Sequence, residues 1–206
     1  MWRLILVFCA GFVAGSVIYK TYFIKLLCAF SFAFLFYKFS FSFQFIIFVF
    51  LVFLLIYVSV MDYFYRIIPV IFPILLIIFG IFSSFVNSTL GEICSFRFAN
   101  SFLGLLAGGG ILFMAGILGW FIYKREAIGG GDVKLMAAVG TFMGWEKVLF
   151  AIFIATILGS IVGLVFILLK KIEKKGYIPF GPFLSVASFI VLFTPKPSLI
   201  LHKFFI

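Results

Sequence analysis

The chain has 206 residues, of which 66% are hydrophobic and 11% charged, and its mean hydropathy is +1.37. A soluble domain is about half apolar and about a quarter charged, so this composition excludes a water-facing globular protein. The formal charge of +10 reflects 16 Lys and Arg against 6 Asp and Glu, but no basic face with interleaved aromatic residues appears, which excludes nucleic-acid binding.

Apolar runs fall near residues 2–19, 21–37, 41–61, 68–86, 99–123, 132–144, 147–169 and 179–195. A bilayer-spanning helix needs about 20 mostly apolar residues, and shorter pieces can be re-entrant or packed among other helices. Eight runs with very short links predict an all-α, polytopic membrane protein with about eight transmembrane or partly embedded helices, built as one integral-membrane domain over residues 1–206. The first run follows Arg3 but lacks a clear small-x-small cleavage site, so it reads as a retained anchor. Little more than Lys20 separates it from the second run. The run at 132–144 is short and carries Lys134, which makes it the weakest span. The many Phe and Ile residues read as membrane filler.

Lys and Arg in short loops concentrate on the cytoplasmic side. With the N-terminus outside and eight alternating spans, Lys20, Lys25, Arg66, Lys124, Arg125, Lys134, Lys170, Lys171, Lys174 and Lys175 fall inside, and Arg3, Lys38, Arg97, Lys147, Lys196 and Lys203 outside. The densest cluster, KKIEKK at 170–175, is thus cytoplasmic. In this topology Asp62 ends the third span going inward and Asp132 begins the sixth going outward, so both are expected at one depth near the cytoplasmic boundary.

Chemistry-bearing residues are few. Cys9, Cys28 and Cys94 form no C-x-x-C pair and read as free thiols, with no disulfide framework or zinc site. His202 lies in the C-terminal tail without a ligand partner, which disfavours a histidine-based or metal mechanism. Of the six acidic residues, Glu92 sits in the polar stretch NSTLGEICSFRF, and Glu146 and Glu173 adjoin lysines, as solvated loop charges do. Glu126 reads as a local partner of Lys124 or Arg125. Asp62 and Asp132 each adjoin an apolar run, where an ionisable side chain is expensive and marks either a functional site or a polar pairing. The pairing alternatives are Asp62 with Arg66 one turn later, and Asp132 as a cap of the helix it opens. Spacing alone does not decide between these and function.

Asp132 follows Gly129, Gly130 and Gly131 in IGGGDVKLM. Three glycines strip side chains from the approach to one carboxylate, allowing close backbone packing and the approach of an extended substrate strand. A phosphate loop would continue with Lys and Ser or Thr, and this sequence does not. Two facing carboxylates suit water-mediated peptide hydrolysis, because like charges a few ångströms apart do not both ionise easily. The ionised member takes a proton from a shared water, and the protonated one hydrogen-bonds the scissile carbonyl and helps protonate the leaving amine. The pair titrates as a unit, so neither role is assigned to one aspartate.

The stretch Glu126-Ala-Ile-Gly-Gly-Gly-Asp-Val-Lys-Leu135 resembles the glycine-x-glycine-aspartate signature of the type IV prepilin peptidases. Asp62, followed by Ile68 and Pro69, is similar to that family's first aspartate motif, with Val70 where the family often has Asn. Ile178-Pro-Phe-Gly-Pro-Phe183 and Gly15-Ser16 also agree, so the resemblance touches nearly the whole chain. It implies Asp62 and Asp132 as the catalytic pair of an aspartic endopeptidase in the inner (plasma) membrane, with Gly129, Gly130 and Gly131 as the substrate approach. The implied partners are type IV prepilins or pseudopilins, cut at the cytoplasmic face after the glycine that ends a short basic leader, alongside membrane lipid. No metal or organic cofactor is required, and the oligomeric state is left open.

The longer, bifunctional members that resemble this chain carry a cytoplasmic insertion after the first span, usually with paired C-x-x-C motifs, and also methylate the new N-terminus. Here that region is reduced to KTYFIK, so peptidase activity without methylation is expected, the bifunctional enzyme being the alternative. A presenilin-like intramembrane protease would pair its glycine-x-glycine-aspartate with Tyr-Asp and Pro-Ala-Leu elements, and neither is present. A non-enzymatic transporter or assembly factor would use buried aspartates for ions or packing. In either case Gly104, Gly108, Gly109, Gly110 and Gly116 of the fifth span suit close helix contacts.

Overall fold

A computed structural model describes residues 2–18, 22–124, 128–169, 179–195 and 197. Among these, eight α-helices follow in chain order: α1 (Trp2–Ile18), α2 (Tyr22–Phe39), α3 (Phe43–Tyr65), α4 (Ile71–Ser83), α5 (Cys94–Tyr123), α6 (Gly130–Met143), α7 (Trp145–Leu168) and α8 (Gly181–Phe193). A 3₁₀ turn, Ser88–Leu90, lies between α4 and α5. Helices α2, α3, α5 and α7 are long and apolar enough to cross a membrane, and α1, α4 and α8 are shorter apolar helices. The chain is a multi-pass membrane protein. Dozens of large apolar side chains, such as Phe30, Ile46, Phe82, Phe113 and Leu164, lie exposed on the helix surfaces, as lipid-facing positions require.

Helix α6 explains why its run looked weakest as a span. Every residue from Leu135 to Gly144 is buried, enclosed by α4, α5 and α7. A helix surrounded by protein needs small side chains rather than a lipid-facing apolar surface, and Ala137, Ala138, Gly140 and Thr141 supply them. Association between helices in lipid rests on close packing rather than on a hydrophobic driving force. A Cβ at Gly104 would run into the backbone of Gly140, and one at Gly108 into the Met136 carbonyl. From the other side, a Cβ at Gly80 of α4 would overlap the Thr141 hydroxyl. Gly110 has open space around it, and Gly116 makes only ordinary contact with Ile128, so the fifth-span glycines are not equivalent.

Polar side chains fix the far end of α6. The last carbonyls of a helix have no intrahelical donors. Asn87 Nδ2 donates to the Phe142 carbonyl at 3.0 Å and Ser101 Oγ to the Thr141 carbonyl at 2.8 Å, both buried. Asn100 Nδ2 donates to the Leu90 carbonyl at 2.6 Å, drawing the 3₁₀ turn onto α5. These bonds set the depth of α6 and therefore the height of its opposite end, where Asp132 stands.

Helix α5 starts at Cys94, earlier than its apolar run. Arg97 accounts for the added turn: its guanidinium folds back to donate to the carbonyls of Gly91 (2.7 Å), Glu92 (2.8 Å) and Phe85 (3.3 Å). At the start of the chain, Gly11 and Gly15 let α1 lie against Ala29, Cys28 and Lys25 of α2. The packing of α5 on α6 should be intolerant of one methyl group. Gly104→Ala is expected to destabilise the protein by about 1–3 kcal/mol through overpacking, whereas Gly110→Ala leaves it unchanged. Thermal unfolding in detergent micelles checks this, and equal midpoints for the two variants would contradict the close contact.

Candidate active site

Three helix ends converge at one end of the bundle. Asp62 lies in the last turn of α3, which Arg66 terminates in the left-handed conformation (φ 55°), with the Arg66 N–H donating to the Asp62 carbonyl. Asp132 is the third residue of α6, whose start is set by Gly129 as N-cap. Helix α8 opens at Gly181 after Pro179 and Phe180. Asp62 and Asp132 are each 3% exposed, and both line a cavity of about 290 Å³ together with Arg66, Ile67, Ile68, Gly129, Gly130 and Gly131. They are close enough for their charges to interact.

The two carboxyls are bonded differently. Asp62 Oδ2 accepts a hydrogen bond of 2.8 Å from the Gly181 backbone N–H, across from α3 to α8, and the Asp62 carbonyl accepts the Arg66 N–H. The Asp132 carboxyl makes no capping hydrogen bond to the first turn of α6 among the described residues; its N–H donates to the Gly129 carbonyl at 3.0 Å. Asp132 Oδ1 is buried with no hydrogen-bond partner among the described residues. A buried, unpartnered carboxylate oxygen is costly and calls for an explanation beyond packing.

The glycines divide by role. Gly129 supplies the carbonyl that starts α6, and Gly130 is exposed with no atom near its missing Cβ. At Gly131 a Cβ would stand 2.8 Å from the Cβ of Ile68, in the loop between α3 and α4. That close approach brings the start of α6 onto the segment that follows Asp62. Elsewhere, Glu92 is exposed and Glu146 is half-buried on the lining of a separate small cavity beside Asn100. Glu126, Arg125, Glu173, Ile178, His202 and the lysines of 170–175 lie outside the described residues. Cys9 and Cys94 are exposed and Cys28 is buried, all as free thiols. Among the described residues no group of three or more His, Cys, Asp or Glu side chains could hold a metal ion.

The model of the type IV leader peptidase family matches residues 48–164, more than half of the chain and a span that includes both Asp62 and Asp132. The chain belongs to the type IV leader peptidase family. It is similar to proteins named prepilin leader peptidase/N-methyltransferase. With that of Stutzerimonas stutzeri it is 28% identical over 145 residues, covering 67% of this chain and 46% of the relative. With that of Burkholderia pseudomallei (strain K96243) it is 39% identical over 101 residues, 48% of this chain and 32% of the relative. With that of Xanthomonas campestris it is 35% identical over 78 residues, 36% of this chain and 27% of the relative. The chain spans less than half the length of these curated relatives. No solved structure matches it.

Two contributors to this site were not assigned from sequence. Ile68 was noted only as part of a motif, and Gly181 only within Ile178–Phe183. The available signal for Gly181 was a Pro-Phe-Gly-Pro run directly before an apolar segment, a pattern that opens a helix. The opposite bonding of the two carboxyls has a measurable consequence for stability. Asp62→Ala should cost about 1.5–3 kcal/mol, the worth of a hydrogen bond to a charged group, because it leaves the Gly181 N–H unpaired. Asp132→Ala should cost less, since its carboxyl accepts no backbone N–H from the described residues and its loss leaves no donor unpaired. Thermal unfolding of the two variants in detergent decides, and a larger loss for Asp132→Ala would contradict this reading.

Proposed function

We propose that this chain is an aspartic endopeptidase of the plasma (inner) membrane that removes the basic leader from type IV prepilins or pseudopilins at the cytoplasmic face. The observation that carries the reading is the pair of buried carboxyls, Asp62 and Asp132, delivered from two different helices to one cavity. Membership of the leader peptidase family and the names of its relatives supply the reaction class and the substrates.

The catalytic step follows from the pair. Two carboxyl groups in one low-dielectric site share a proton. The ionised member draws a proton from a water held between them, and the resulting hydroxide attacks the carbonyl carbon of the scissile peptide. The protonated member donates a hydrogen bond to the carbonyl oxygen as charge develops there, and a proton then passes to the leaving amine as the C–N bond breaks. The Gly129–Gly131 stretch forms the side-chain-free wall beside Asp132, along which an extended segment carrying the leader glycine approaches. No metal or organic cofactor takes part in these steps.

The relatives are named for a second activity, N-methylation. Only residues 19–21 separate α1 from α2 where the resembling bifunctional enzymes have an insertion with paired C-x-x-C motifs, which supports cleavage without methylation. A transporter reading has no such support from the comparisons.

Co-expression of the chain with a prepilin, followed by intact-mass measurement of the substrate, tests the proposal. Wild type is expected to remove the leader without adding a methyl mass, whereas Asp62→Asn and Asp132→Asn, at matched membrane levels, leave the precursor intact. Cleavage by either variant would refute the two-aspartate mechanism, and a methylated product would refute the single activity. Gly131→Leu is expected to abolish cleavage while inserting normally into the membrane, because its side chain collides with Ile68 and crowds Asp132; full activity would remove the close-approach role of that glycine.

A further inference from the structure

We infer that Gly181 is a positioning residue for the proposed reaction: its N–H and its lack of a side chain together fix the Asp62 carboxyl against the start of α8. The inference rests on the two-aspartate reading above and deepens it. Gly181 also lies beyond the segment matched by the family model, which ends at residue 164.

The first turn of α8 offers few donors. Pro182 has no N–H, and the N–H groups of Phe183 and Leu184 both donate to the Phe180 carbonyl, at 3.0 and 3.1 Å. Gly181 contributes the remaining N–H of this turn, and Asp62 Oδ2 accepts it at 2.8 Å. A carboxylate at a helix N-terminus also lies at the positive end of the helix dipole. Only one oxygen of Asp62 is engaged by this bond, so the other remains available for the attacking water. The bond therefore selects one rotation of the carboxyl.

The residue has to be glycine for a steric reason. A Cβ at 181 would stand 2.7 Å from Asp62 Oδ2 and 3.1 Å from both its Cβ and its Cγ. An alanine would thus retain the N–H yet drive the carboxyl off it. The start of α8 is itself held from two sides. Ser185 Oγ, one turn deeper, donates to the Leu55 carbonyl of α3 at 3.2 Å in a buried bond. On the other side, the Phe180 ring packs against α7 at Gly159, where a Cβ would come within 3.1 Å of it. These contacts set the height and rotation of α8 at which the Gly181 N–H meets Asp62.

The test measures single-turnover cleavage of a prepilin peptide spanning the leader junction, with the full-length enzyme in excess in detergent. The limiting rate at saturating enzyme reports the competence of the bound complex. The half-saturating concentration reports how much enzyme is folded and how well it binds. Gly181→Ala is expected to lower the limiting rate about a hundredfold, the scale of a misplaced catalytic group, with half-saturation unchanged within about twofold. A residue that only supported the fold would raise the half-saturating concentration and leave the limiting rate alone, and that result would overturn the inference. Should Gly181→Ala fail to accumulate, Gly159→Leu puts a branched side chain where the Phe180 ring packs and so shifts the start of α8 without touching Asp62; a lowered limiting rate supports the inference and an unchanged one overturns it. Asp62→Asn is run in parallel. If it still cleaves, the two-aspartate reading fails; if it is inactive while Gly181→Ala cleaves at the wild-type limiting rate, only the positioning role fails.

Discussion

Two carboxyl groups buried at one end of a helical bundle are the constraint around which the rest of this protein is arranged. Burying an ionisable group next to another of the same sign costs free energy, so the rest of the bundle has to offset it. The surrounding architecture brings the two together but bonds them differently. Asp62 receives a backbone N–H from α8, whereas Asp132 has an oxygen with no partner among the described residues. Such a site stores unfavourable energy, and packing elsewhere in the bundle has to hold it in place.

The packing that does so is concentrated on α6. This short helix is enclosed by its neighbours, with Gly104, Gly108 and Gly80 cut away to admit it. Its far end is tied down by Asn87 and Ser101, which satisfy carbonyls left over at the helix terminus. With one end anchored and the flanks fitted closely, the depth of Asp132 is fixed. Asp62 is fixed in turn by the left-handed stop at Arg66, by Ile68 lying against Gly131, and by the start of α8. The carboxyls therefore meet through rigid helix ends rather than through long loops, as a preorganised site requires.

Much of this was legible from residue type and order. The apolar runs located the eight helices, and the short, Lys134-bearing run marked the helix that proved to be buried in protein. The charge distribution of the loops placed Asp62 and Asp132 at one face, and the structure does bring both to one cavity. Hydropathy could not reveal the early start of α5, because that turn depends on one arginine folding back onto three carbonyls. Nor could spacing discriminate among the fifth-span glycines, since Gly104 and Gly110 differ only in what another helix places opposite them. The partner of Asp62 was hidden for the same reason: a backbone N–H from more than a hundred residues away leaves no mark on the sequence around the aspartate.

The central claim is that Asp62 and Asp132 act together on a tetrahedral centre, so the most direct measurement uses a mimic of that centre. A prepilin leader-junction peptide with a hydroxyethylene group in place of the scissile amide resembles the intermediate, and such mimics bind far more tightly than the substrate when the catalytic groups are in place. Its affinity for the purified protein would be compared with that of the amide peptide, for wild type and for the Asp62→Asn and Asp132→Asn variants. The account predicts that wild type prefers the mimic by at least about a hundredfold, and that each substitution abolishes this preference while amide binding persists. If either variant retained the full preference for the mimic, its aspartate would have no part in the reaction, and the paired mechanism would be contradicted.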